Sequence, residues 1–194
     1  MSGEGGTLAG APTASALRPA SVRRRLAALV YEALLLAAVL FIAGFVLLPL
    51  TPRTPGATTI AVPGPPVRAA SFGVVVAVLG LYCTWFWSRG RRTLAMKTWQ
   101  LRLVTDAGVA LASSQALRRY LAGWIGPALA LATYLPLHAY AYAGADGRWA
   151  LAFLGVNFAW AAVDRDRKFL HDRLAGTRLL DDRRAPAPAV PAHA

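Results

Sequence analysis

Long runs of apolar residues alternate with short basic segments along this chain. The first two runs cover residues 26–48 and 69–87, and about 20 apolar residues are what a helix needs to cross a bilayer. Only Glu32 interrupts the first run. A secretory signal peptide is the alternative for this run, but its apolar part would be shorter, roughly 7–15 residues. We therefore expect an uncleaved first span, followed by a second.

Two further apolar runs follow, at residues 121–143 and 149–163. As a helix, the last run reaches only about 22 Å at 1.5 Å per residue. It either starts earlier, near Tyr142, or forms with the third run an irregular hairpin that does not fully cross. We expect four crossings. The predicted fold class is thus an all-α membrane protein, a bundle of about four transmembrane helices.

The segments between and outside these runs give weaker signals. Residues 93–120 are too polar to cross, and alternating residues on both sides of a turn at 105–108 predict a short β-hairpin. Ser113 or Ser114 could cap a helix that starts near Gln115. Residues 1–22 and 181–194 are rich in Gly, Ala and Pro or charge, which predicts disordered tails around one transmembrane domain, 23–180.

Charge gives this bundle an orientation. The chain carries 21 Lys and Arg against 9 Asp and Glu, a net charge of +12. Eighteen of the basic residues fall before the first run, between the second and third, or after the fourth; three (Arg53, Arg68 and Arg148) fall in the other loops. The positive-inside rule predicts that the N-terminus, the 88–120 loop and the C-terminus face the cytoplasm, in a bacterial plasma membrane. Because the charges flank apolar runs, we do not expect nucleic acid as a partner.

No residue pattern predicts an enzyme. Cys83, the only cysteine, lies inside an apolar run, which excludes a disulfide framework and a cysteine-rich zinc site. No nucleophile stands beside a base, no two histidines have metal-ligand spacing, and no glycine-rich phosphate loop is present. We expect no catalytic, metal-binding or cofactor-binding residues. His171 and Asp172 are adjacent and therefore point in different directions on a helix.

Glu32 is the clearest candidate for a functional residue. A carboxylate at the centre of a span costs roughly 2.5–3.5 kcal/mol on insertion scales, so it usually has a partner or a role. Seven residues after Arg25, it lies about 10 Å further along nearly the same helix face. It could pair with Arg25, or with an arginine from 89–119, as a structural ion pair. The alternative is a proton- or cation-binding role. His138, among tyrosines near the end of the third run, is more often an interfacial residue than a ligand.

Three stretches together resemble the RDD family of bacterial membrane proteins, which is named for one arginine and two aspartates. They are residues 25–32 (RLAALVYE), residues 82–90 (YCTWFWSRG) followed by 93–104 (TLAMKTWQLRLV), and residues 170–177 (LHDRLAGT). The resemblance extends from about residue 23 to 180. It implies a membrane-embedded fold, and some members of the family have been linked to sodium–proton exchange.

By this resemblance, Arg25, Glu32 and Asp172 occupy the three name-giving positions, and we expect them to meet near the cytoplasmic interface. Glu32 replaces an aspartate, and Ala95 stands where the family commonly has glycine. The secondary candidates are His171, Arg92, Lys97, Arg118 and His138.

Two functions remain open. The first is a small transporter, or transporter subunit, for protons or cations. The second is a non-catalytic interaction or scaffold protein whose basic loops bind lipid headgroups or a partner. The expected partners are the lipid bilayer, anionic lipid headgroups, and a second copy or another membrane protein.

Overall fold

The computed structural model describes residues 18–47, 64–139 and 147–184. The fold is mostly helical, with helices α1 Val22–Leu47, α2 Pro65–Trp87, α3 Leu94–Thr98, α4 Ser113–Gly123, α5 Ile125–Ala139, α6 Val156–Ala159 and α7 Leu170–Ala175. Strands β1 Leu101–Thr105 and β2 Thr177–Asp181 form its sheet, and 3-10 helices span Gly147–Gly155, Trp160–Ala162 and Asp182–Arg184.

Helices α1 and α2 are long enough and apolar enough to cross a membrane. The candidate span Val22–Phe45 contains 24 residues, a length of about 36 Å. Within the protein, only 6% of the most apolar stretch of α1 is buried, and only 11% of the most apolar stretch of α2. A helix that is apolar all round is either buried in a core or embedded in lipid. These two helices are not buried by protein, so lipid is their natural environment.

The third and fourth apolar runs are less regular than the sequence indicated. The third run is divided at Trp124 into α4 and α5, and α5, which contains Pro136, has only 15 residues. The fourth run begins as the 3-10 helix Gly147–Gly155, which packs along α5, and it continues as α6. Within the described ranges, only α1 and α2 are both long enough and apolar enough to cross a membrane. Four crossings therefore stay a prediction.

At the polar end of the bundle, residues 18–22, the loop after α2 with β1, and β2 with residues 182–184 form a small sheet and its surroundings, which we call the platform. β1 pairs antiparallel with β2, with Leu103 opposite Leu179. On the other edge of β2, the N–H of Ala20 donates to the carbonyl of Leu179 and Pro19 bridges Leu180. The buried side chains of Leu101, Leu103 and Leu179 join α4 and the start of α1 in one apolar core. The segment before α1, the loop after α2 and residues 177–182 thus lie together.

The predicted β-hairpin is wrong. The turn after β1 forms as expected, with the N–H of Gly108 donating to the carbonyl of Thr105. The strand partner, however, is β2, more than 70 residues further along the chain. Residues 109–112 lead directly into α4, which starts at Ser113 after Ala112 and has no side-chain cap. The predicted serine cap is therefore also wrong.

The ends of the predicted tails also differ from expectation. Residues 18–22 and 181–184 are part of the platform. The rest of both predicted tails, 1–17 and 185–194, lies outside the described residues.

Candidate functional site: a buried charge cluster and a carboxylate on a span

Asp172 is the centre of a buried charge cluster. It lies on α7, where its side chain is 0% exposed. Its Oδ1 forms an ion pair with Nη1 of Arg119 on α4. The same Nη1 donates to the hydroxyl of Thr177, 3.0 Å away, and this hydroxyl lies 3.4 Å from Asp172 Oδ1. Gly176 ends α7 with φ of 62°, a conformation that glycine adopts without steric cost, and so brings Thr177 back towards Asp172.

Arg25 approaches the same carboxylate from the first turn of α1. Its Nη1 lies 3.9 Å from Asp172 Oδ2, and its Nη2 donates to the carbonyl of Arg167 at 2.6 Å. Its guanidinium lies over the ring of Phe169, 4.9 Å from the centroid. The structure therefore brings Arg25 and Asp172 together, because the closing segment of the chain folds back against the start of α1.

Two arginines share this one buried carboxylate. Arg25 and Arg119 are 7% and 6% exposed, and Arg119 also lies over the ring of Trp87. The Nε atoms of both arginines, and Asp172 Oδ2, have no hydrogen-bond partner within the described residues. Breaking a buried ion pair by removing one partner is strongly destabilising, since a charge remains without compensation. Asp172 is therefore the group that keeps two buried cations in the fold.

His171 belongs to the cluster but carries no charge. Its Nε2 lies 3.4 Å from Arg119 Nη2 and 3.8 Å from Asp172 Oδ1. Burial lowers the pKa of His171 to about 2, and the charges of Arg119 and Arg25 act in the same direction. Burial likewise lowers the pKa of Arg119, to about 9, so Arg119 remains protonated at neutral pH. A neutral His171 can accept a hydrogen bond from Arg119.

Glu32 does not pair with Arg25. Instead, Tyr82 on α2 donates its hydroxyl to Glu32 Oε1 at 2.5 Å. Among the described residues no basic side chain forms a salt bridge with Glu32. The expectation of an ion pair with Arg25 or with an arginine of 89–119 is therefore wrong, because Asp172 occupies both Arg25 and Arg119.

A cavity of about 210 Å³ lies between Glu32 and the charge cluster. Glu32, Arg25, Arg119 and His171 line it, together with apolar side chains that include Leu36 of α1. Glu32 and Arg25 face the same cavity because seven residues make almost two full turns of helix. Three of the sequence candidates, Arg25, Glu32 and His171, thus line one cavity. A fourth, Asp172, lies behind Arg25 and Arg119.

The remaining candidates lie apart from this cavity. Arg92 bonds Asp182 Oδ2 at 2.7 Å and so belongs to the platform surface. Lys97 and Arg118 are exposed. His138 lies near the end of α5, and its side chain is outside the described residues. Ala95, where the family commonly has glycine, is 1% exposed in α3.

Arg119, Thr177 and Tyr82 were not singled out by the sequence. Helical spacing could have indicated that Arg119 is buried, because it stands three positions after Ala116 and so lies on the same face of α4. These two are the buried residues of α4. Arg118 is about 100° away on the helix and points outwards. Tyr82 and Thr177 lie within the stretches 82–90 and 170–177 that resemble the family, but their contacts with Glu32 and Arg119 join distant parts of the chain and could not be predicted.

The charge cluster does not have the composition of a metal site. In residues 18–47, 64–139 and 147–184, no group of three or more His, Cys, Asp or Glu side chains could hold a metal ion. The two arginines favour anions over metal cations at the centre of the cluster.

Two apolar helices exposed along their length, with a polar platform at one end, define a helical protein of the membrane. The family model described as the RDD family matches residues 19–176, and the chain belongs to this family. No curated protein and no solved structure matches the chain significantly. The matched range includes Arg25, Glu32 and Asp172.

Proposed function

We propose that this protein is a small transporter, or a transporter subunit, in which Glu32 binds a proton or a monovalent cation. The observation that carries the proposal is the position of Glu32 on a membrane-crossing helix, facing a cavity and held by Tyr82. An ionisable group within a span is retained at a cost, and such groups mark ion pathways and proton relays.

Among the described charged groups at the cavity, Glu32 is the carboxylate that forms no salt bridge. With Glu32 ionised, the two arginines and the two carboxylates carry no net charge. Binding of one proton or one monovalent cation at Glu32 gives this group a charge of +1. Since Arg25 and Arg119 are held by Asp172, Glu32 is the carboxylate that can bind and release its ligand without breaking the cluster.

The test is a flux assay in proteoliposomes. Full-length protein is reconstituted with a trapped pH-sensitive dye, and a sodium, potassium or proton gradient is applied. We expect Glu32→Gln to lower the initial rate at least tenfold and Glu32→Asp to retain most of it. Asp182→Asn, which removes a carboxylate from the platform surface, is the matched control and should leave the rate unchanged. Equal rates for wild type and Glu32→Gln, or no flux above empty liposomes, would exclude this role.

The proposal includes an orientation, with the platform on the cytoplasmic side of the plasma membrane and four crossings. It is supported by the excess of basic residues in the segments that the platform joins. It is also supported by the hydrogen bonds that link residues 18–20, β1 and β2, since all three must then lie on one side. No catalytic step is part of the proposal.

Orientation can be tested by labelling intact cells with a membrane-impermeant maleimide. In a Cys83→Ser background, single cysteines at position 97 and position 53 would report on the platform and on the loop after α1. We expect labelling at 53 but not at 97 until the cells are opened. Labelling at position 97 in intact cells would show that the platform faces the outside of the cell.

A second candidate function is interaction with a membrane partner through the outer surface of the platform. Arg89, Lys97 and Arg118 are exposed, and none of them forms a salt bridge with a described residue. Arg92, by contrast, is occupied by Asp182. Affinity capture of a reproducible partner by the full-length protein, lost in Lys97→Gln/Arg118→Gln, together with no vesicle flux above empty liposomes, would favour this role over transport.

A further inference from the structure

A second, larger hollow lies on the other side of the first turn of α1. It is an open groove of about 920 Å³ between the start of α1 and the segment that contains α6. Ala20 and Val22 form one apolar wall, and Phe158 and Ala161 form the other. Arg25 borders both this groove and the cavity of Glu32, but the remaining lining residues differ.

Three of the arginines at the groove have no acidic partner in the part of the chain that the structure describes. Arg23, Arg165 and Arg167 line it and are exposed, and none of them forms a salt bridge with another described residue. Asp166 also lines the groove, but its Oδ2 already bonds Arg173 Nη1 at 2.9 Å. The mouth of the groove therefore carries a positive charge that the described part of the protein does not neutralise.

The groove continues into the apolar surfaces of α1 and of the segment Trp149–Ala162. Val22 is the first residue of α1, from which the candidate span rises. The opposite wall belongs to the apolar segment Trp149–Ala162, in which Ala159 and Ala162 are exposed. A ligand that fits both parts has an anionic group for the arginines and a hydrocarbon chain for the helices. Guanidinium groups bind phosphate oxygens in a bidentate manner.

We propose that this groove binds an anionic phospholipid from the leaflet that surrounds the platform. The phosphodiester lies among Arg23, Arg165 and Arg167, and an acyl chain follows the apolar walls along α1. A soluble anion would use the arginines but leave the apolar walls exposed to water, which is why a lipid fits better. Glu32 does not line this groove, so lipid binding here can be tested independently of transport.

The test is lipid titration of the full-length protein in detergent, followed by native mass spectrometry. Phosphatidylglycerol and phosphatidylcholine of identical acyl chains are compared. We expect Arg23→Gln/Arg165→Gln to weaken phosphatidylglycerol binding about thirtyfold, since each arginine near an anionic surface contributes about fivefold. Phosphatidylcholine binding should not change. Lys97→Gln/Arg118→Gln removes the same charge from the platform surface and should have a far smaller effect.

Several results would overturn the proposal. One is equal affinity for both lipids, and another is equal weakening in both double variants, which would indicate general attraction to surface charge. Displacement of phosphatidylglycerol by millimolar inorganic phosphate would indicate a site for the free anion. An altered oligomeric mass in Arg23→Gln/Arg165→Gln, with lipid binding intact, would assign the groove to a second copy of the chain. If the double variant does not fold, Arg165→Gln alone should weaken binding about fivefold.

Discussion

Replacing Asp172 by asparagine should destabilise this protein more than replacing any acidic residue on the platform surface. The side chain of Asp172 is fully buried and faces both Arg119 and Arg25. Asparagine has nearly the same size, so packing is preserved, but the negative charge is lost. The two buried guanidinium groups then repel each other without a counter-ion, and the asparagine NH₂ can place a donor against a donor.

The expected loss follows from burial. Removing one partner from a buried ion pair costs about 3–5 kcal/mol, a large part of a total stability of roughly 5–15 kcal/mol. In a chain of this size, each kcal/mol corresponds to roughly 2–4 °C in Tm. We therefore expect Tm to fall by about 6–20 °C. Asp182→Asn is the control, because Asp182 bonds Arg92 and Arg102 at a partly exposed site, where pairs contribute about 0–1 kcal/mol.

The assay is thermal unfolding in a mild detergent, followed by size-exclusion chromatography of a fluorescent fusion. A double-mutant cycle with Arg119→Gln separates charge from packing, because removing a positive charge together with the negative one should restore part of the stability. We expect the loss of stability in Arg119→Gln/Asp172→Asn to be smaller than the sum of the two single losses by at least about 1 kcal/mol. If Asp172→Asn melts like Asp182→Asn, or if the losses are additive, the cluster does not hold the fold in the way described.

Three further perturbations test other parts of the fold by unfolding in detergent. The pKa of His171 is about 2 in the fold and about 6.5 in the unfolded chain, so only the unfolded chain gains a proton at this residue as pH falls from 7 to 5. The free energy of unfolding of the wild type should therefore fall by about 2 kcal/mol over this range, and His171→Gln should not show this loss. Gly126→Ala would place a Cβ within 2.8 Å of a backbone carbonyl of the neighbouring 3-10 helix and should cost about 1–3 kcal/mol; Gly123→Ala meets open space, and an equal effect of the two would contradict this. Thr93→Ala removes the N-cap of α3 and should cost about 0.5–2 kcal/mol, more than Thr98→Ala, whose hydroxyl is exposed; a smaller loss would show that the cap is dispensable.

The apolar runs could be predicted because their signal is local. The predicted bounds 26–48 and 69–87 lie within a few residues of α1 and α2. Both helices begin earlier than predicted. Arginines extend the first turn of α1, and Pro65 and Pro66 occupy the first positions of α2, where proline needs no backbone hydrogen bond.

The parts that were missed depend on contacts between distant residues. The alternation in β1 correctly indicated a strand, but no local pattern could indicate that its partner begins at Thr177. Likewise, Glu32 and Arg25 are compatible in spacing, yet Asp172 competes for Arg25 and Tyr82 takes Glu32. Spacing along a helix determines which residues share a face, but the tertiary fold determines which of them pair.

The platform determines the direction in which Glu32 points. Arg24 forms an ion pair with Asp181 of β2, while the adjacent Arg25 reaches Asp172. Because neighbouring residues diverge by about 100° around a helix, two anchors in one turn fix the rotation of α1 about its axis. That rotation directs Glu32, on nearly the same face as Arg25, towards the cavity and Tyr82. Asp172→Asn should thus lower vesicle flux together with Tm, whereas Glu32→Gln should lower flux alone; normal flux in a destabilised Asp172→Asn would show that α1 is oriented without this anchor.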